Sequence, residues 1–441
     1  MLGLITYSLI LLALFVGTWR RPAVAIGAVL CLYGLKQWGQ SSTALLSEYR
    51  QFTNYAVFCI CLIGVVRAAR QRSCLFCTLP PTALLVLALY AYAFLTVTWA
   101  PDPWTSLDQW IASAPYLITI TLLAPLLFTE LDDARTASIA AALSGAALCA
   151  LVLVFGHWGN RGLVLFGHGV EDDLNIYRYQ TNPLALSTMA GTVFLICALS
   201  LGRPNRWPMR LFAMACIPVA LAVILKSGSR GQLIASGIAL FAALPIAFRI
   251  KDGKSLATLA LIAVVVLGLG WWGSSFVDVD ASRWSDARTS QDVAGRFAMA
   301  RALLGVSTSE FFTALFGLGN SSAFQVLGIY PHITGLEVLA EEGIFGAAIY
   351  LIILLLTFRS VKRIIKLPLR DSERQGVAIL AGLFIFELIL SWKQGSLLFS
   401  VYVFAYAIAL ARLEESQREP SSRLHPATIS VRPPRFENLM R

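Results

Sequence analysis

The stretch from Gly273 to Gly335 reads GSSFVDVDASRWSDARTSQDVAGRFAMARALLGVSTSEFFTALFGLGNSSAFQVLGIYPHITG. It is the longest weakly apolar segment of the chain, and apolar sequence of membrane-spanning length flanks it on both sides. It carries Arg283, Arg288, Arg296 and Arg301, a Phe316-Gly317-Leu318-Gly319-Asn320 run, and Tyr330-Pro331-His332. Between Val293 and Leu318 the apolar residues Phe297, Leu303, Leu304, Phe311, Phe312 and Leu315 recur at helical spacing. That pattern predicts an amphipathic helix lying on the membrane surface or over a cavity.

Outward from this segment the chain is greasy. Of 441 residues, 57% are hydrophobic and 14% charged, with a mean hydropathy of +0.70. A soluble domain would carry about 25% charged residues. Because the shortfall is spread along the chain, the fold class is all-α, a polytopic membrane protein. Thirteen apolar stretches stand near 2–18, 22–38, 52–68, 82–99, 112–128, 137–155, 183–201, 211–227, 232–248, 256–273, 335–357, 376–392 and 396–411. The first two are short and separated only by Arg20-Arg21-Pro22, so 12 or 13 transmembrane helices are expected. They form a single transmembrane domain over 1–411, with 274–334 as its large loop and a Pro-, Ser- and Arg-rich tail over 412–441.

Net charge is +10, and its distribution carries more information than its size. With the stretches threaded alternately, 24 of the 35 Lys and Arg residues fall on one side. The positive-inside rule makes that side the cytoplasm. The large loop then faces the other compartment, which in a bacterium is the periplasm. The basic excess is a topology signal, and nucleic-acid binding is not expected. The eight cysteines avoid the large loop, which argues against a disulfide framework. Cys74 and Cys77 have the spacing of half a zinc site but lack a second pair, so no metal is expected. Asp278-Val279-Asp280 is a weak match to a metal-binding acidic pair, and there is no phosphate loop of the P-loop type. No cleavable signal peptide is expected from the first residues.

Four residues stand out as site candidates. Arg230, in Ser227-Gly228-Ser229-Arg230-Gly231, sits between two apolar runs with almost no loop. It is either a turn with a snorkelling arginine or a guanidinium aimed at an anionic head group, since its planar fork grips phosphate oxygens in pairs. Arg178 lies just before a span, in a connection that also carries Glu171, Asp172 and Asp173, so a local salt bridge competes with a binding role. Arg296 opens the expected amphipathic helix, where a solvated surface charge is the alternative. His332 sits where the large loop meets the membrane; it is either a structural hydrogen-bonder or a group that takes a proton from a hydroxyl near neutral pH.

The chain resembles the O-antigen ligase and polymerase superfamily of bacterial membrane glycosyltransferases. The residues that carry the resemblance are Ser229-Arg230-Gly231, Gly295-Arg296-Phe297, Leu315 to Asn320, Pro331-His332-Ile333 and Leu339-Ala340-Glu341-Glu342-Gly343-Ile344-Phe345-Gly346, in that order over residues 180–400. Family members often have asparagine where this chain has Ile333. The resemblance implies transfer of a glycan from undecaprenyl pyrophosphate to a sugar of lipid A–core at the periplasmic leaflet of the inner membrane. It implies an inverting displacement without metal, ATP or other cofactor. On that reading Arg230, Arg296 and Arg178 bind the pyrophosphate and His332 activates the acceptor. A single dominant loop favours the ligase over the polymerase or a related oligosaccharyltransferase. A polytopic lipid or solute transporter is the reading of another class.

Overall fold

The computed structural model describes residues 2–71, 79–159, 162–165, 180–201, 207–248, 286–329 and 332–418, with isolated positions at 253, 257 and 268. Among the described residues the regular structure is helical apart from a three-stranded antiparallel ribbon, Gly156–Gly159, Gly162–Leu165 and Gln180–Thr181. Among the described residues, ten helices are long and apolar enough to cross a membrane, so this is a multi-pass membrane protein.

Ten of the 12 or 13 expected stretches are thus accounted for among the described residues, and two of the remaining stretches differ for a physical reason. The stretch at 22–38 is helical but broken. Helix α2 (Val24–Leu30) stops at Cys31, and α3 (Leu32–Ser42) restarts at once. Both pieces are buried, and Trp38 lies among the largest fully enclosed side chains. The stretch at 256–273 lies outside the described residues. The stretch at 396–411 becomes a helix, Val401–Arg418, whose last turns carry Arg412, Glu414, Glu415 and Arg418. That helix continues past Ala411 to Arg418. Glu414 accepts hydrogen bonds from Ser360 (2.6 Å) and Arg363 (3.1 Å), which tie the charged turns to the bundle.

The span expected to begin at Gly335 begins instead at Gly343. A short helix, Thr334–Glu341, precedes it, and Gly343 with φ 66° makes the break. The amphipathic helix expected over 293–318 is two helices, Asp286–Ser307 and Phe311–Phe316. Between them the hydroxyls of Ser307, Thr308 and Ser309 donate to the carbonyls of Leu304 and Val306. Serine and threonine compete with the helix in this way and close it. Leu303 alone of the expected stripe is fully buried, against Ala323 and Ala340, whereas Phe297 and Phe311 are exposed.

The packing centre is formed by Pro183–Ser200, Asp371–Gln394 and Val401–Arg418, which bury Phe194, Phe384, Phe386 and Phe404. Small residues let these helices approach: a Cβ on Gly191 would strike the Phe386 ring, and one on Gly382 would press on Leu199 and Ala243. At one end of the bundle, Asp132 pairs with Arg135, Arg370 with Glu373, and the Arg67 guanidinium lies 4.8 Å from the Trp19 ring centre. The short helices of 311–341 and the start of Arg230–Phe248 lie at the opposite end.

Candidate functional site

The site end is built around one short piece of extended backbone. The Phe316–Asn320 run threads between two corners of the bundle. On one side Leu318 and Gly319 donate to the carbonyls of Ala340 and Glu341, both at 2.9 Å. On the other side Tyr92 and Trp99 donate to the carbonyls of Phe316 and Gly317, Ser106 donates to that of Asn320, and the Asn320 N–H donates to Thr96. Glycine is required here by space as well as by torsion. Gly319 has φ 96°, and a Cβ there would sit 2.5 Å from the Ala100 Cα.

Two buried acids lock the piece in place, and a third ties the helix that carries them to Leu397. Glu341 accepts the N–H groups of Ser321 and Ala323, each at 2.8 Å. Glu342 accepts the Asn320 amide at 2.7 Å, and Glu337 accepts the Leu397 N–H at 2.9 Å. Burial pushes all three carboxyls above the usual range, Glu341 to about 7. Thus the two quoted runs, Leu315 to Asn320 and Leu339 to Gly346, form a single interlocked unit. A stretch with three inward carboxyls belongs against protein rather than lipid, which explains why the span starts later than hydropathy suggests.

His332 emerges from this unit, exposed, between Ser322–Leu327 and Thr334–Glu341. Its φ is 58°, in the left-handed region. A non-glycine residue there carries strain of about 1–3 kcal/mol, and such residues cluster where a side chain must be aimed. One side of the ring is desolvated although the residue as a whole is exposed; that partial desolvation, followed by the positive charge of Arg296, holds its pKa below the ordinary 6.5. Arg296 comes from Asp286–Ser307, half-buried, and its guanidinium is close enough for its charge to be felt at the imidazole.

Arg230 lies in a second cluster. It starts the helix Arg230–Phe248, just after the Ser227–Ser229 turn in which Gly228 has φ 65°. Fully buried Gln232 donates to Gln394 (2.9 Å) and accepts from Lys393 (3.0 Å), while Gln394 donates to Thr188 (3.4 Å). A Cβ on Gly231 would collide with the Lys393 side chain. Lys393 therefore runs across the first turn of Arg230–Phe248, where the helix dipole already favours an anion.

The two clusters meet through Thr334–Glu341. Thr334 hydrogen-bonds Ser400 at 2.7 Å, and the Trp392 ring, adjacent to Lys393, lies against Gly335. Among the sequence candidates, the Arg296 charge reaches His332, and Arg230 opens the helix whose first turn Lys393 crosses. Arg178 lies outside the described residues, as do Cys74, Cys77, Asp278 and Asp280.

No protein-family model and no curated protein matches this chain.

Among the described residues, no group of three His, Cys, Asp or Glu side chains is arranged to hold a metal ion. Sequence reasoning missed Lys393, Gln232 and the three acids. Lys393 was findable, as a lone cation between Trp392 and Gln394 at the end of an apolar run. The acids were not, because their role is set by partners 18 to 60 residues away in the chain.

Proposed function

We propose that this protein is a glycosyltransferase of the O-antigen ligase type, joining a glycan carried on undecaprenyl pyrophosphate to a sugar of lipid A–core. The observation that carries the reading is an exposed His332 held in the left-handed backbone region, within reach of the Arg296 charge, at the end of the bundle opposite the Arg67, Arg135 and Arg370 cluster. By the positive-inside rule that end faces the periplasm of a bacterial inner membrane.

The chemistry follows from the groups present. The imidazole is neutral at neutral pH and takes the proton of the acceptor hydroxyl as its oxygen attacks the anomeric carbon. The new C–O bond forms opposite the departing phosphate oxygen, so the centre inverts. The lipid pyrophosphate leaves with the electron pair of the broken bond. Its growing charge is met by Arg296, Arg230 and Lys393, with Arg178 as a further candidate. Fixed cations at a weakly hydrated site stabilise such charge more than water does. Metal and nucleotide have no step in this reading, since the pyrophosphate linkage supplies the driving force.

The direct test incubates purified protein with lipid-linked glycan and lipid A–core, without metal or nucleotide. A ladder of core-linked product is expected. Extension of the lipid-linked glycan alone would mean a polymerase, and movement of lipid without any bond formed would mean a transporter.

The pH profile provides a second test. His332 must be neutral to act, so activity falls as pH drops through its pKa. Partial desolvation and Arg296 both lower that pKa, so the acid limb lies below 6.5. Arg296→Gln removes the smaller of the two causes and moves the limb upward, short of 6.5 because the desolvation remains. A limb that stays in place in the variant would separate Arg296 from the base.

A further inference from the structure

Glu387 lies in the apolar helix Asp371–Gln394, two turns below Gln394 and on the same face. It opens onto a small cavity lined by Leu30, Tyr33, Thr188, Thr192, Tyr402 and Tyr406. That space has room for about one water-sized occupant. Hydrogen-bond accounting shows what kind of occupant fits. The Thr188 hydroxyl donates to the Leu184 carbonyl (2.9 Å) and Thr192 to the Thr188 carbonyl (3.1 Å). The Tyr402 hydroxyl donates to the Val29 carbonyl at 2.6 Å. The hydrogens of these three hydroxyls are therefore committed elsewhere and they offer the cavity oxygen lone pairs, while the Tyr33 and Tyr406 hydroxyls add two further oxygens that can each accept as well as donate. The carboxylate adds more acceptor capacity and the only charge among the lining residues.

The other titratable groups facing Glu387 are tyrosines: Tyr33 from α3 and Tyr402 and Tyr406 from Val401–Arg418, with Cys31 behind them. None supplies a positive charge. Lys36 is turned to the Tyr116 hydroxyl, at 2.5 Å. A charged carboxylate at membrane depth requires a counter-charge. An acceptor-rich cavity of one-water size with a single acid is suited to a small monovalent cation.

We infer that the cavity formed by Glu387, Thr188, Thr192 and Tyr402 binds one small monovalent cation, a proton or a sodium ion. The site connects to the candidate site in one step, because Thr188 also accepts from Gln394, which pairs with Gln232 and through it with Lys393. Occupancy of the cavity thereby sets the end of the helix that carries Lys393. The inference stands whichever group the candidate site transfers.

The test measures thermal unfolding of purified native protein, Glu387→Gln and Thr188→Val. Sodium is titrated against choline at fixed pH, and acid is titrated without sodium. The native protein is expected to be stabilised by one of the two ions, and Glu387→Gln to lose that response while remaining folded. Thr188→Val removes one oxygen and is expected to raise the ion concentration needed by about tenfold. Infrared difference spectra separate the ions: a carboxylic C=O band present in native protein and absent in Glu387→Gln identifies the proton. Identical responses of native protein and Glu387→Gln to both ions would overturn the inference.

Discussion

Replacing His332 by asparagine is expected to lower glycan transfer by about 10²–10⁴-fold, the usual contribution of a positioned general base. Membrane insertion and binding of the lipid-linked donor should be unchanged, since the positive groups are untouched. Asparagine is the sharper variant because it tolerates the left-handed backbone that His332 adopts at φ 58°. Loss of activity then reports the missing imidazole and not a displaced loop. Glycine adds a second reading. Relief of about 1–2 kcal/mol of left-handed strain offsets the 0.5–1 kcal/mol that glycine roughly costs elsewhere. His332→Gly is therefore expected to be inactive yet as stable as the native protein in a thermal melt. Full transfer activity in either variant would remove His332 from the chemistry. A clear loss of stability in His332→Gly would show that the torsion carries no strain.

How far the sequence could be read depended on whether a signal was local. Hydropathy located the ten described spans because burial in lipid is a property of one segment at a time. It failed at Gly335 to Glu342, where apolar neighbours mask three carboxyls that turn inward, Glu341 and Glu342 toward Asn320–Ala323 and Glu337 toward the Leu397 N–H. It also failed at Ser307 to Ser309. There, a good apolar stripe on either side hid hydroxyls that end the helix. Arg296 and His332 were legible as residue types at the edge of a membrane. Their proximity was not, because it depends on how Asp286–Ser307 docks through Leu303 on Ala323 and Ala340. Lys393 lay at the end of a span where a basic residue reads as an interfacial anchor. Only the hydrogen bond to Gln232 places it with Arg230–Phe248.

Replacing Glu341 by alanine should be the most damaging change for the architecture of the site. Its carboxylate, 1% exposed, accepts from Ser321 and Ala323 at 2.8 Å each. Alanine leaves both donors buried without an acceptor, at about 1–3 kcal/mol apiece. The expected loss is therefore about 2–6 kcal/mol in unfolding, comparable with much of a protein's net stability. Glu341→Gln keeps one carbonyl oxygen and is expected to lose about half as much, with partial transfer activity. Glu341 acts on the reaction only by fixing Ser321–Leu327 and through it the position of His332. Residual activity in the alanine variant should therefore show a weakened turnover with donor binding retained. The two variants also separate by pH. The unfolded carboxyl releases its proton near 4.5, whereas the folded one keeps it to about 7. The folded state thus holds more protons in that window, and its stability falls as pH rises through it. Glutamine does not titrate, so the difference in melting temperature between native protein and Glu341→Gln should shrink from pH 5 toward pH 7, the upper bound being set by the raised carboxyl. A difference that grows with pH would mean that the carboxylate is stabilised by its two donors more than it is penalised by burial.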